Sequence, residues 1–234
     1  MPNCWICGEK GDSGEHLIKA SDIKSLFGDI TQLNPVFYHS EEKKNKYVGS
    51  SKSDKFKSKA LICRNCNNSR TAPHDKAWQK LSEHLRSYDL SRRGPLKVRL
   101  EKVYSKDIYK HALDIHLFFV KLFGCRIIEF SVPIDIQPFS DSILNSKPNP
   151  YVFLIFKKAI GSKLQTAAVS AIHVENTGNR VNVAGWIYTV GDLNVEILYN
   201  PNGANNSFLK NSFHPHCRHK YVEFQDFEPD KDDT

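Results

Sequence analysis

Two Cys-x-x-Cys steps, Cys4/Cys7 and Cys63/Cys66, restrict the folds open to this 234-residue chain more than any other feature. Each step turns the backbone tightly enough to aim two thiolates at one point, and four such sulfurs form the ligand set of a tetrahedral zinc ion. One step beside a βαβ pattern would suggest redox chemistry; two suggest a metal. Compact zinc ribbons separate their steps by about 15–20 residues, whereas here everything from Gly8 to Ile62 lies between them. A shared ion would therefore enclose an inserted structure and bring it close to the residues that follow Cys66.

The insert carries Glu15-His16, and Asn67-Asn68 follow the second step at once. An imidazole with the ordinary pKa of about 6.5 takes a proton from water near neutral pH. A carboxylate and an amide oxygen are hard donors, suited to Mg2+ or Mn2+ rather than to a closed thiolate site. A divalent ion on such donors stabilises the charge that builds on a cleaved phosphodiester and its leaving oxygen. Each residue also has a plainer reading: a structural histidine, a surface acid, and an asparagine that caps the following helix.

The string C-x-x-C…E-H-L-I-K…L-I-C-R-N-C-N-N-S-R resembles the cysteine-containing branch of the HNH, or ββα-metal, endonucleases over about residues 4–80. The resemblance implies a small zinc-stapled ββα-metal, treble-clef-like module, with structural Zn2+ on Cys4, Cys7, Cys63 and Cys66. It implies a catalytic Mg2+ or Mn2+ on Glu15 and Asn67, His16 as the general base, and Arg70 against phosphate. His74 ranks below Asn67 as an alternative ligand. The family's middle Asn, which orients the catalytic histidine, is absent: Ser58 stands in the best-aligned place, with Asp54 nearby. Lys19 stands where the family often has proline.

Charge agrees with a polyanionic partner. Residues 1–110 carry 22 Lys and Arg against 13 Asp and Glu, a net of +9; the remainder carries 11 against 13, a net of −2. A basic half joined to a near-neutral half suits nucleic acid, and the resemblance makes it DNA. Residues 41–59 hold seven lysines, Lys55, Lys57 and Lys59 among them. They read as an exposed, mobile loop, suited either to phosphate contact or simply to solvation.

Hydrophobic residues make up 40% of the chain, enough for a sizeable core. No run approaches the roughly 20 apolar residues of a membrane helix. MPNCWICGEK lacks a signal pattern, so a cytoplasmic protein without a membrane partner is expected. In that reducing compartment Cys125 and Cys217 read as buried small hydrophobes. The expected organisation is a zinc-stapled module over residues 1–90, a turn-rich connection (DLSRRGP), and an α+β domain with a mostly antiparallel sheet over 95–234. The second part would choose the target, bind a partner protein or hold a homodimer.

Helices are expected near 21–28, 73–88 and 106–124, the last ended by Gly124, with Trp78 as a core anchor. Strands are expected at 34–40, 95–104, Arg126–Val132, Tyr151–Phe156, Ala167–Val174, Arg180–Tyr188, Asn194–Tyr199 and Tyr221–Phe224. His214-Pro-His216-Cys217-Arg-His219 has the residue types of a metal cluster, yet no matching pair elsewhere, and a loop is the more economical reading. The C-terminal tail is expected to fray. Two rivals to the nuclease stand beside it: a catalytically inactive zinc-stabilised nucleic-acid-binding module, and a protein-interaction domain.

Overall fold

The computed structural model describes residues 2–40, 43–161, 165–178, 180–203, 210 and 212–228. The tail expected to fray lies, from residue 229 on, outside the described residues. The fold is α+β. Its first part contains strand β1 (Ser13–His16), helix α1 (Ala20–Phe27), strands β2 (Val36–Ser40), β3 (Lys43–Val48) and β4 (Lys57–Ile62), and helix α2 (Ala72–Leu85). There follow β5 (Leu96–Arg99), a single turn α3 (Leu100–Val103), the long α4 (Ile108–Glu129) and α5 (Gln137–Leu144). The remaining strands are β6 (Val152–Ala159), β7 (Ala167–Val169), β8 (His173–Thr177), β9 (Arg180–Val190), β10 (Leu193–Tyr199) and β11 (Tyr221–Phe227).

The main sheet runs β5-β11-β6-β10-β9, and the long β9 pairs along its far edge with both β7 and β8. Every pairing in it is antiparallel except β11 with β6. Two separate ribbons, β1-β4 and β2-β3, belong to the first part. Helix α4 is the spine. Every residue from Asp114 to Ile127 on it is buried, which is how a helix with apolar residues on all sides must sit. One continuous core of buried side chains extends from Cys4 to Phe224, so the residues that follow the cysteines and those of the sheet share it.

Several expectations change. Arg126–Val132 is not a strand: α4 continues through it to Glu129, and the Phe130 N–H still bonds to the Arg126 carbonyl at 3.0 Å. Its isoleucines favour strand locally, but burial inside the helical layer outweighs so weak a propensity. Residues 41–59 are not simply a loop, because Lys43–Val48 pairs with β2 and Lys57–Lys59 opens β4. A two-stranded ribbon needs only one anchored face, and Val48 supplies it. Cys125 is buried as expected, but Cys217 is exposed. The strand expected at 95–104 ends at Arg99 and gives way to the helical turn α3, the strand expected at Ala167–Val174 divides into β7 and β8, and α5, which Pro138 opens in its first turn, was not foreseen.

Gly124 does not end α4 but lies within it, and Trp5 explains why glycine stands there. A methyl group at Gly124 would come within 2.4 Å of Cη2 of Trp5. The indole between Cys4 and Ile6 thus lies directly against the helix. The Ser140 hydroxyl, on α5, donates to the Ile6 carbonyl at 2.6 Å from another side. In Gly124→Ala, the helix gains about 1 kcal/mol of intrinsic propensity, while overpacking a close contact costs about 1–3 kcal/mol. The contact here is with a rigid ring and far inside van der Waals distance, so a lower urea midpoint is expected. A midpoint equal to or above wild type would show that Trp5 yields without cost.

Candidate metal centre and adjoining cleft

The sulfur atoms of Cys4, Cys7, Cys63 and Cys66 lie within 4.8 Å of one another, and Cys7 and Cys63 Sγ are 3.5 Å apart. A tetrahedron with metal–sulfur bonds of about 2.3 Å has edges of about 3.8 Å, so this set could hold a metal such as zinc. Gly8 makes the first turn possible, with φ +80 in the left-handed region. Its N–H donates to the Cys4 carbonyl at 2.8 Å, and the Cys4 N–H donates to Glu9 at 2.6 Å. In the second turn the Cys66 N–H points at Cys63 Sγ, 3.4 Å away. Without a cation, burial pushes the Cys66 thiol far up; a bound cation would hold it as thiolate. Among the described residues these cysteines are the one group of three or more Cys, His, Asp or Glu side chains close enough to share an ion.

The cysteine cluster lies at one end of the β1-β4 ribbon. Ser13 pairs with Ile62, next to Cys63, and the register shifts between Gly14 and His16. A regular strand sends consecutive side chains to opposite faces, and such irregularities re-aim them. Here Glu15 and His16 both line one cleft of about 500 Å3, which they share with Asn67, Asp75, Lys19 and Lys57. A π-helical turn, Cys66–Arg70, carries Asn67 from the second cysteine step to this cleft, and α2 continues beyond it.

His16 Nε2 lies 3.3 Å from the main-chain carbonyl of Ser51. A carbonyl only accepts, so the ring proton sits on Nε2 and Nδ1 keeps its lone pair. The imidazole is therefore oriented by neither Ser58 nor Asp54. The Ser58 hydroxyl donates to Glu129 at 3.0 Å, and Asp54 pairs with Lys57 at 2.7 Å. Burial lowers the pKa of His16 below 6.5, against an opposing pull from the Ser51 carbonyl.

Glu15 is buried and meets a residue from the second part of the chain. Lys121 Nζ, at the middle of α4 and fully buried, is 3.0 Å from Glu15 Oε1 and 3.1 Å from both carboxylate oxygens of Asp75. It also donates to Thr71 Oγ1 at 3.3 Å. Burial alone would lower the pKa of Lys121, but the carboxylates of Glu15 and Asp75 outweigh it and raise the value. The lysine is thus a built-in cation beneath the cleft. Neither Lys121 nor Asp75 was among the sequence candidates. The one visible hint was a solitary lysine in the otherwise apolar run LFFVKLFGC.

The Asn67 amide nitrogen donates to Ser13 Oγ at 2.8 Å and to the Gly14 carbonyl at 3.4 Å, which leaves its oxygen available. Asn68 also lines the cleft. Lys57 does so too, whereas Lys55 and Lys59 are exposed and Arg70 is half-buried, and none of these three is on the cleft wall. His74 is buried away from the cleft, with Nδ1 2.9 Å from Asp114. His214 is also buried and used in packing, its Nε2–H donating to the Asn149 carbonyl at 2.9 Å, whereas His216 and Cys217 of the same segment are exposed.

The cleft wall formed by α1 is pinned by Asp22, which is fully buried on that helix. It accepts from Trp78 Nε1 at 2.7 Å, Ser82 Oγ at 2.8 Å, Tyr188 Oη at 2.6 Å, and Arg86. The Lys19 N–H in turn donates to Tyr188 Oη at 3.1 Å. Trp78 is the core anchor that its helical position implied. Tyr188, from the main sheet, ties α1 to the second part. Searches against protein families, curated proteins and solved structures give no match for this chain.

Proposed function

We propose that this protein is a metal-dependent nuclease of the HNH type that hydrolyses phosphodiester bonds in DNA. The observation that carries the reading is one cleft, beside the four clustered cysteines, in which Glu15, His16 and Asn67 come together. In this reading the cysteines hold a structural zinc, and the β1-β4 ribbon with the turn after Cys66 is a ββα-metal module.

His16, its Nε2–H held by Ser51, accepts a proton from water at Nδ1. Burial keeps the ring neutral near pH 7, as a base must be. The donors fit a hard ion: the carboxylate of Glu15 and the free amide oxygen of Asn67 supply oxygens, and a cleft of about 500 Å3 leaves space for the waters that Mg2+ retains. Bound there, Mg2+ or Mn2+ would stabilise charge on the leaving oxygen. Lys19 and Lys57 present positive charge to the phosphate from the cleft walls. Lys121 holds Glu15 in place from below.

One observation favours a second reading, a nucleic-acid-binding module without catalysis. The Glu15 carboxylate already has a cationic partner in Lys121, so a divalent ion must share it. Purified protein incubated with supercoiled plasmid separates the two. Nicking or linearisation that requires added Mg2+ or Mn2+ is expected. Salt-sensitive DNA binding with intact plasmid at every metal concentration would overturn the nuclease and select the second reading.

A further inference from the structure

The β2-β3 ribbon lies within the insert, and the cleft leaves it unused. Val36, Tyr38 and Val48 turn to one face of it, by the alternation of strands. Val48 is buried, and the Tyr38 ring stands 6.0 Å from Phe56. The opposite face carries Phe37 and Tyr47, which are paired directly across the ribbon. Their ring centroids are 4.7 Å apart and tilted by 42°, and the residues are 58% and 65% exposed. A cross-strand aromatic pair steadies a hairpin, yet this one also offers ring faces to solvent.

One contact sets a charge beside the pair, and another joins the end of the ribbon to the cleft. Lys55, itself exposed, donates from Nζ to the Tyr47 carbonyl at 3.2 Å. Ser51, three residues beyond Val48 at the end of the ribbon, accepts from His16. The nearby acid Asp54 is already paired with Lys57. Aromatic rings, an ammonium group and the carbonyl that binds the His16 imidazole thus all belong to residues 37–55.

We propose that Phe37 and Tyr47 form a stacking platform for unpaired bases, and that Lys55 holds an adjoining phosphate, so that single-stranded nucleic acid is led toward His16. Bases within a duplex cover one another's faces, whereas unpaired bases stack on exposed rings without regard to sequence. Lysine beside such rings supplies the charge complementarity that a phosphate backbone requires. The inference rests on the reading of the cleft as acting on nucleic acid, although the binding it describes is measured without cleavage.

The test uses the zinc-loaded full chain without added Mg2+ or Mn2+, and fluorescence anisotropy with oligodeoxyuridylate, oligouridylate and a DNA duplex of the same length. Tighter binding of either single strand than of the duplex is expected, and the homopolymer held more tightly identifies the preferred sugar. Phe37→Ser/Tyr47→Ser should weaken single-strand binding about tenfold or more. Lys55→Gln should lower the magnitude of the salt slope by about one. Phe37→Leu/Tyr47→Leu keeps an apolar cross-strand contact but removes the π faces, and should lose as much affinity. If the leucine variant binds like wild type, the rings serve the hairpin alone and the platform is overturned. Equal or tighter duplex binding, or no binding, overturns it as well. Plasmid cleavage by wild type together with undiminished binding by both aromatic variants would remove the platform and leave the nuclease. Lost binding in the variants without any plasmid cleavage would do the reverse.

Discussion

Replacing His16 with alanine is expected to lower metal-dependent plasmid cleavage by about 10²–10⁴-fold, the range for loss of a positioned general base. Zinc content and far-ultraviolet circular dichroism should remain those of wild type, because the side chain makes one hydrogen bond, to Ser51. The pH profile gives a second reading of the same group. Burial lowers the pKa of His16 from 6.5, and the base acts only when neutral. Activity should therefore persist as pH falls to 6.5 and fail below it, as the folded-state pKa is crossed and the ring takes up a proton. Cleavage by His16→Ala at the wild-type rate would remove the histidine from the chemistry. An acid limb centred above 6.5 would contradict the buried placement of the ring.

Lys121→Met is expected to destabilise the fold by about 3 kcal/mol, the low end for removing one partner of a buried ion pair, since Asp75 keeps some contact with water. The wild-type ammonium sits between Glu15 and Asp75, at 3.0 and 3.1 Å, in full burial. Methionine fills a similar volume, so the loss is electrostatic rather than a cavity: two carboxylates face each other with only the more distant Lys19 ammonium, 3.8 Å from Asp75 Oδ1, as counter-charge. Urea unfolding measures the loss directly. Glu15→Gln on the Lys121→Met background removes one of those charges and should restore part of the stability. No recovery in the double variant would mean that the lysine acts through packing and not through the acids.

The separation between the two cysteine steps is the reason so much of the site was legible. A metal shared by residues 4–7 and 63–66 would leave little freedom for Glu15-His16 relative to Asn67, and all three line one cleft. Helix α2, the hairpin strands of the main sheet and the central place of Trp78 followed from apolar periodicity, because there local pattern and tertiary burial agree. They disagree at Arg126–Val132, where helical packing overrides residues that favour strand, and at Gly124, where glycine answers a close ring and not a helix end.

The partner of His16 was not legible. A main-chain carbonyl has no residue type, so Ser51 leaves no mark that a search for an orienting side chain, Ser58 or Asp54, would detect. Lys121 lies 106 positions after Glu15, and nothing local pairs them. Cysteine spacing, residue chemistry and periodicity are properties of the chain and can be read along it. They set the four clustered cysteines that could hold a metal, the α+β class, and the carboxylate, imidazole and amide that line the cleft. The groups that hold the His16 ring and neutralise Glu15 come from loop geometry and from a helix packed beneath the cleft. Such contacts depend on which distant surfaces share one core, and folding alone brings those together.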